Sequence, residues 1–135
     1  MSSYLTFYLK PRVEEQKPIT LISYSRNTEV YKYFDDSIHP VYIGLEETQY
    51  TELTKDKVNR VIEDLKCDIS KYQKRLLEYE KYSAGNSEMV EYIIELKEYI
   101  EDLEWALQKI EFIKDLVEES SYSHTDYCKI LCNID

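Results

Sequence analysis

Apolar residues recur in steps of four and three through residues 54–119, broken only at Ala84-Gly85-Asn86-Ser87. Before the break the rhythm runs Val58, Ile62, Leu65, Ile69, Tyr72, Leu76, Tyr79. After it the rhythm resumes as Met89, Ile93, Leu96, Ile100, Leu103, Leu107, Ile110. Steps of this kind place one apolar stripe along a helix, and a sustained heptad stripe is the seam of a left-handed coiled coil. The first stretch predicts a helix from Thr54 to about Ser83, ~43 Å long at ~1.5 Å per residue. Thr54 is placed to cap it, and Asp56 lies in the first turn, where a carboxylate favours the helix dipole. Gly85 supplies the stop, Asn86 or Ser87 caps the second helix, and that helix is expected to end near Glu119. So short a connection makes the helices antiparallel neighbours.

Folding the chain so that facing residue numbers sum to 172 sets Tyr79 on Ile93, Leu76 on Leu96, Tyr72 on Ile100, Ile69 on Leu103, Leu65 on Leu107 and Ile62 on Ile110. Six layers match apolar to apolar. The next layer, Val58 against Lys114, fails, and the second stripe moves to Ile113 and Val117. The base of the hairpin is therefore expected to pack on something other than its own partner helix.

A different period governs the two ends of the chain. Residues 4–9 alternate, with Leu5, Phe7 and Leu9 on one face, and Ile19–Tyr24 follows beyond a polar segment bounded by Pro11 and Pro18. Both read as strands, paired antiparallel. Asn27 or Thr28 can cap a short helix over Glu29–Phe34, with Val30 and Phe34 on one side. An extended piece through Val41–Ile43 follows His39-Pro40, and Thr48–Thr51 suggests another short strand. At the C-terminus, Cys128, Ile130, Cys132 and Ile134 alternate within 127–134 and predict a strand returning to the N-terminal sheet. The expected fold is α+β: a small antiparallel sheet of N-terminal strands plus a C-terminal strand, carrying a long antiparallel two-helix coiled-coil hairpin. One domain of 135 residues is expected, with 1–53 and 120–135 as the sheet part and 54–119 as the hairpin.

The second helix is apolar over a wider arc than a two-stranded seam requires. Tyr92, Tyr99, Ala106 and Ile113 form a row beside the seam, and Ile94, Trp105 and Phe112 add further apolar surface. The sheet near the base and a second copy of the chain farther out are the expected covers.

Charge sharpens that picture. The chain carries a formal charge of -10. Residues 54–87 hold eight Lys or Arg and six Asp or Glu, whereas 88–119 hold three and eleven. So acidic a chain argues against direct nucleic-acid binding, which needs clustered cations to neutralise phosphates. The partner-binding candidates are therefore Tyr92, Tyr99 and Trp105, flanked by Glu91, Glu95, Glu98 and Asp102. Fourteen tyrosines, with two glycines and three prolines, fit an AT-rich coding sequence of bacterial or phage type.

Catalytic signatures are missing from the sequence. There is no G-x-S-x-G, no P-loop and no glycine pattern of a dinucleotide fold, so neither catalytic residues nor a cofactor are expected. His124-x₃-Cys128-x₃-Cys132 has spacings a helix could converge on zinc. On a strand, positions four apart lie ~13 Å from each other, and no fourth ligand is evident, so no metal site is expected. Cys67, Cys128 and Cys132 are expected as reduced, small apolar fillers. No apolar run approaches the ~18 residues of a membrane span, and the N-terminus has no basic n-region, so a cytoplasmic location is expected.

The leading expectation is a non-enzymatic protein-binding module acting through the hairpin, as a homodimer. One alternative is an acidic, phage-encoded inhibitor that mimics nucleic acid and captures a basic host protein. The other is a small-ligand binder using the Tyr-rich sheet with Arg12, Arg26 and His39.

Overall fold

The computed structural model describes residues 3–11, 17–35, 50–82, 86–122 and 129–134. The expected extended piece at Val41–Ile43 and the stop at Gly85 lie outside them. The described elements run β1 (Tyr4–Lys10), β2 (Ile19–Ser25), α1 (Glu29–Phe34), β3 (Thr51–Glu52), α2 (Lys55–Tyr82), α3 (Ser87–Tyr122) and β4 (Lys129–Ile134). The chain is α+β, as its two periodicities require.

Four strands form one sheet in the order β2-β1-β4-β3. β1 sits between β2 and the C-terminal strand, antiparallel to β2 through Leu5↔Tyr24 and Phe7↔Ile22, and antiparallel to β4 through Phe7↔Cys132 and Leu9↔Ile130. Alternation along β1 turns Leu5 and Phe7 into the core, both fully buried. The β1–β2 register slips between Phe7 and Tyr8, leaving Leu21 as an extra residue on β2. β3 extends the sheet by two residues, Thr51↔Cys132 and Glu52↔Leu131.

The helix boundaries follow their caps. Thr28 Oγ1 accepts from the Tyr31 backbone N–H at 3.3 Å and donates to the Ser25 carbonyl at 2.8 Å, which starts α1 directly off the end of β2. Thr54 Oγ1 accepts from the Lys57 N–H at 3.3 Å. Asn86 Oδ1 accepts from the N–H groups of Glu88 and Met89 at 3.1 and 3.2 Å, so Asn86 rather than Ser87 caps α3. α3 continues to Tyr122, three residues past the expected end. Ser120-Ser121-Tyr122 extends the helix because serine costs only a few tenths of a kcal/mol there, and no Gly or Pro stops it.

α2 and α3 pack as an antiparallel pair. Two cross-helix contacts straddle the expected sum of 172: the Tyr72 and Tyr99 rings meet edge-to-face at 5.1 Å, and Lys55 Nζ lies 3.6 Å from Glu118. The polar pairs Gln73–Glu104 and Glu80–Lys97 sum to 177, because long flanking side chains reach along the axes. At the base Val58, Ile113 and Val117 are buried in the same cluster as Leu5, Phe7, Ile130 and Cys132. The hairpin leaves its own seam there and enters the sheet's core.

α1 closes that core from the side. Val30, Tyr31, Tyr33 and Phe34 are all buried, and Phe34 meets Phe7 edge-to-face at 5.4 Å. Tyr33 donates its hydroxyl hydrogen bond to Asp68 Oδ2 on α2 at 2.6 Å. A carboxylate acceptor makes this one of the stronger single hydrogen bonds available to a fold.

Candidate functional site

The row Tyr92, Tyr99, Ala106, Ile113 on α3 changes environment along its length. Ile113 and Ala106 are fully buried, Tyr99 is half-buried, and Tyr92 is 65% exposed. The gradient has a cause in the topology. The sheet and α1 cover the base of the hairpin, and both lie behind the level of Tyr99. Among the described residues of this row, Tyr99 is the last that packs against the shared core, and Tyr92 is no part of it. Among the described residues, α2 and α3 have only each other beyond it, so residues that would complete a core stand open. Leu77, Tyr82, Val90, Tyr92 and Ile94 are all exposed there.

Tyr92, Glu95, Leu96 and Tyr99 of α3 and Arg75 and Tyr79 of α2 line a groove of about 220 Å³ between the helices. Its lining is three tyrosines and a leucine, with one cation and one carboxylate. The Arg75 guanidinium lies 5.2 Å from the Tyr72 ring centroid, which holds it over the aromatic surface. A wider, shallow depression of about 590 Å³ is lined by α2 alone, from Cys67 to Glu78, and includes Lys71, Lys74 and Arg75.

Trp105 belongs elsewhere. Its ring packs edge-on to Tyr24 of β2 at 6.1 Å, with Lys109 Nζ 5.4 Å from its centroid. It is 43% exposed and lies over the sheet, whereas Tyr92 and Tyr99 line the groove. The seven expected partner-binding residues therefore do not form one patch. Tyr92, Glu95 and Tyr99 come together at the groove. Glu91, Glu98 and Asp102 are exposed on α3, and among the described residues none of these three, nor Glu95, has an ion-pair or hydrogen-bond partner. The contrast with Glu80, Glu104 and Glu118 is useful, since those acids are engaged by Lys97, Gln73 and Lys55. Sequence reading missed Arg75 and Tyr79, which supply the other wall. Their signal was the pairing sum, which sets Tyr79 at the level of Ile93.

Tyr99 is pushed up to about 12, first by burial and then by the negative charge of Glu29 and by Tyr72 and Asp68. Tyr33 is also pushed up, by burial and by its bond to Asp68. Both groups fold in the neutral form. Their contribution is complete below the ordinary tyrosine value of 10.0, and Tyr99's is lost as pH rises from there to about 12. Alkaline titration followed at 295 nm and by far-UV circular dichroism is expected to show helix loss accompanying tyrosinate formation above pH 10. Tyr99→Phe is expected to move that transition to higher pH, and an unmoved transition contradicts the assignment.

The cysteines divide. Cys132 is fully buried on the core face of β4, and burial pushes its thiol up to about 12, as a small apolar filler should behave. Cys67 is exposed on α2, which corrects the filler reading for that residue: it lies off the apolar stripe of the helix. Cys128 and His124 lie outside the described residues, as do Arg12 and His39 of the expected ligand-binding alternative. Arg26 is described, and its N–H donates to the Ser3 carbonyl at 3.0 Å, closing the β1–β2 ladder. Among the described residues no cluster of His, Cys, Asp or Glu has the geometry to hold a metal ion, and no helix is long and apolar enough to cross a membrane.

Compared with protein families, curated proteins and solved structures, the chain matches none of them.

Proposed function

We infer that this protein is a non-enzymatic interaction module, and that the outer half of its hairpin docks a partner protein. The observation that supports the reading is the change along one row of α3, from buried Ile113 and Ala106 to exposed Tyr92. Tyrosine is well suited to such a surface, because its ring supplies contact area with only two side-chain torsions to fix while its hydroxyl finds a polar partner.

Charge favours a partner that is basic at its own rim. Glu91, Glu95, Glu98 and Asp102 flank the groove side of α3 without internal neutralisation. A second copy brought onto this face would set these acids near their own counterparts, and like charges at an interface oppose association. A cation-bearing partner meets them favourably and gains on-rate from the same field. The acidic-inhibitor alternative shares this surface and this partner chemistry, differing in the biological role.

Affinity capture from the source cell, repeated with variants, tests the reading. Tyr92→Glu is expected to lower affinity for the captured protein by roughly tenfold to a hundredfold, the range of a hot-spot loss of ~2 kcal/mol. Joint reversal of Glu91, Glu95, Glu98 and Asp102 to Lys is expected to slow association and abolish its salt dependence. Undiminished capture by both variants sinks the proposal.

A further inference from the structure

β2 is an edge strand, hydrogen-bonded to β1 on one side and, among the described residues, to no strand on the other. Sheet edges in monomeric proteins are usually guarded by short strands, charges, prolines or covering segments, because an open edge templates pairing with another chain. The opposite edge follows that rule: β3 is two residues long and ends in Glu52. β2 does not. It is seven residues, Ile-Thr-Leu-Ile-Ser-Tyr-Ser, without a charge or a proline. Its first five residues are all exposed, including Ile19, Leu21 and Ile22 at 54%, 39% and 37%.

We propose that β2 pairs antiparallel with β2 of a second copy of this chain, joining two four-stranded sheets across a two-fold axis at Ser23. The backbone sets the register. The Arg26 N–H donates to Ser3 of β1, so alternation turns the groups of Tyr24 and Ile22 toward β1 and those of Ser23 outward. An axis at Ser23 makes the two copies exchange N–H···O=C bonds at that residue, and the Ser25 N–H reaches the Leu21 carbonyl of the second copy. The Ser23 hydroxyl does not compete for these groups, since it bonds Thr6 Oγ1 at 2.9 Å.

The side chains fit the same register. Ile22 and Tyr24 share the core face, opposite Phe7 and Leu5. With the axis at Ser23 each Ile22 faces the Tyr24 of the second copy, an aromatic and β-branched pair of the kind that stabilises neighbouring strands. The self-complementary register selects a second copy as the occupant. The net charge of -10 on each chain opposes association, but β2 is an uncharged strip that sets no like charges against each other at the contact. Antiparallel pairing of identical strands is also self-complementary and closes at two copies, leaving no further β2 edge exposed.

Sedimentation equilibrium over a rising concentration series tests this on the full chain. The weight-average mass is expected to climb from 16.2 kDa toward twice that value. Leu21→Lys, at an exposed position, is expected to hold the protein at monomer mass with unchanged circular dichroism. Ser23→Pro, which removes the outward N–H, is expected to do the same. Tyr92→Glu is expected to leave the dimer intact, which separates this edge from the hairpin surface. A wild-type chain that stays monomeric up to its solubility limit overturns the proposal. So does a dimer that survives both edge variants, or one lost on Tyr92→Glu. A monomer whose Ser23 and Ser25 amides shift only on adding an unrelated extended peptide overturns the second copy as occupant.

Discussion

Replacing Phe7 by Ala is expected to cost about 3–5 kcal/mol of folding stability, the range for deleting a fully buried aromatic side chain. Phe7 is 0% exposed at the middle of the central strand. Its ring meets Tyr24 of β2 at 6.2 Å and Phe34 of α1 at 5.4 Å, both edge-to-face, and its backbone pairs with Ile22 and Cys132. One side chain thus joins the N-terminal hairpin, the short helix and the C-terminal strand. The void cannot be refilled by a local shift, because each neighbour belongs to a different element already fixed elsewhere. Domains of this size are stable by only about 5–15 kcal/mol, so the loss removes a large part of the total. Thermal unfolding should show a midpoint lowered by roughly 10–20 °C. A fall of only a few degrees would mean that the three elements do not share one cooperative core.

Phe7 also shows what could be read before the structure. Its inward direction follows from alternation in β1, and its burial follows from there being a core to face. The contact with Phe34 does not follow from any local pattern. α1 is six residues long, and nothing in Glu29–Phe34 states that its buried side meets the sheet while Tyr33 reaches Asp68, 35 positions away. Long-range pairings of that kind are fixed by the geometry of closure, which period and propensity do not encode. The hairpin was legible because its partners share one repeat and one short turn. Every layer is then a consequence of the first.

The candidate surface divides in the same way. The surplus apolar row on α3 is visible as spacing alone, and so is the acid beside it. Which part of that row stays open depends on where α1 and the sheet stop. Trp105 misled for this reason: its spacing on α3 is that of an uncovered arc, but Tyr24 of β2 stands against it. Neither period records that a side chain of β2, an edge strand, meets the middle of a helix that starts 62 residues later.

Stability should consequently be graded along the hairpin, and Leu103→Ala against Leu77→Ala measures the gradient. Leu103 is 0% exposed and lies in the shared core with Tyr33, Val30 and Leu65. Its truncation is expected to cost about 2–5 kcal/mol. Leu77 is 61% exposed on the outer half of α2, and its truncation should stay within about 0.5 kcal/mol. Both are leucines in helix interiors, one on each of the paired helices and about two turns apart along the hairpin, so propensity cancels and burial alone separates them. Native-state hydrogen exchange reads the same contrast without mutation. Amides from 58–69 and 100–117 should exchange only by global unfolding, while those near Leu77 and Tyr92 open locally at much lower free energy. The difference bears directly on function. Residues of the outer half contribute little to the folded state, so Tyr92→Glu should leave the thermal midpoint within a few degrees of wild type. Any loss of partner binding in that variant then reports on the surface itself. Equal destabilisation by Leu103→Ala and Leu77→Ala would contradict this, because it would require the outer half to be as tightly packed as the base.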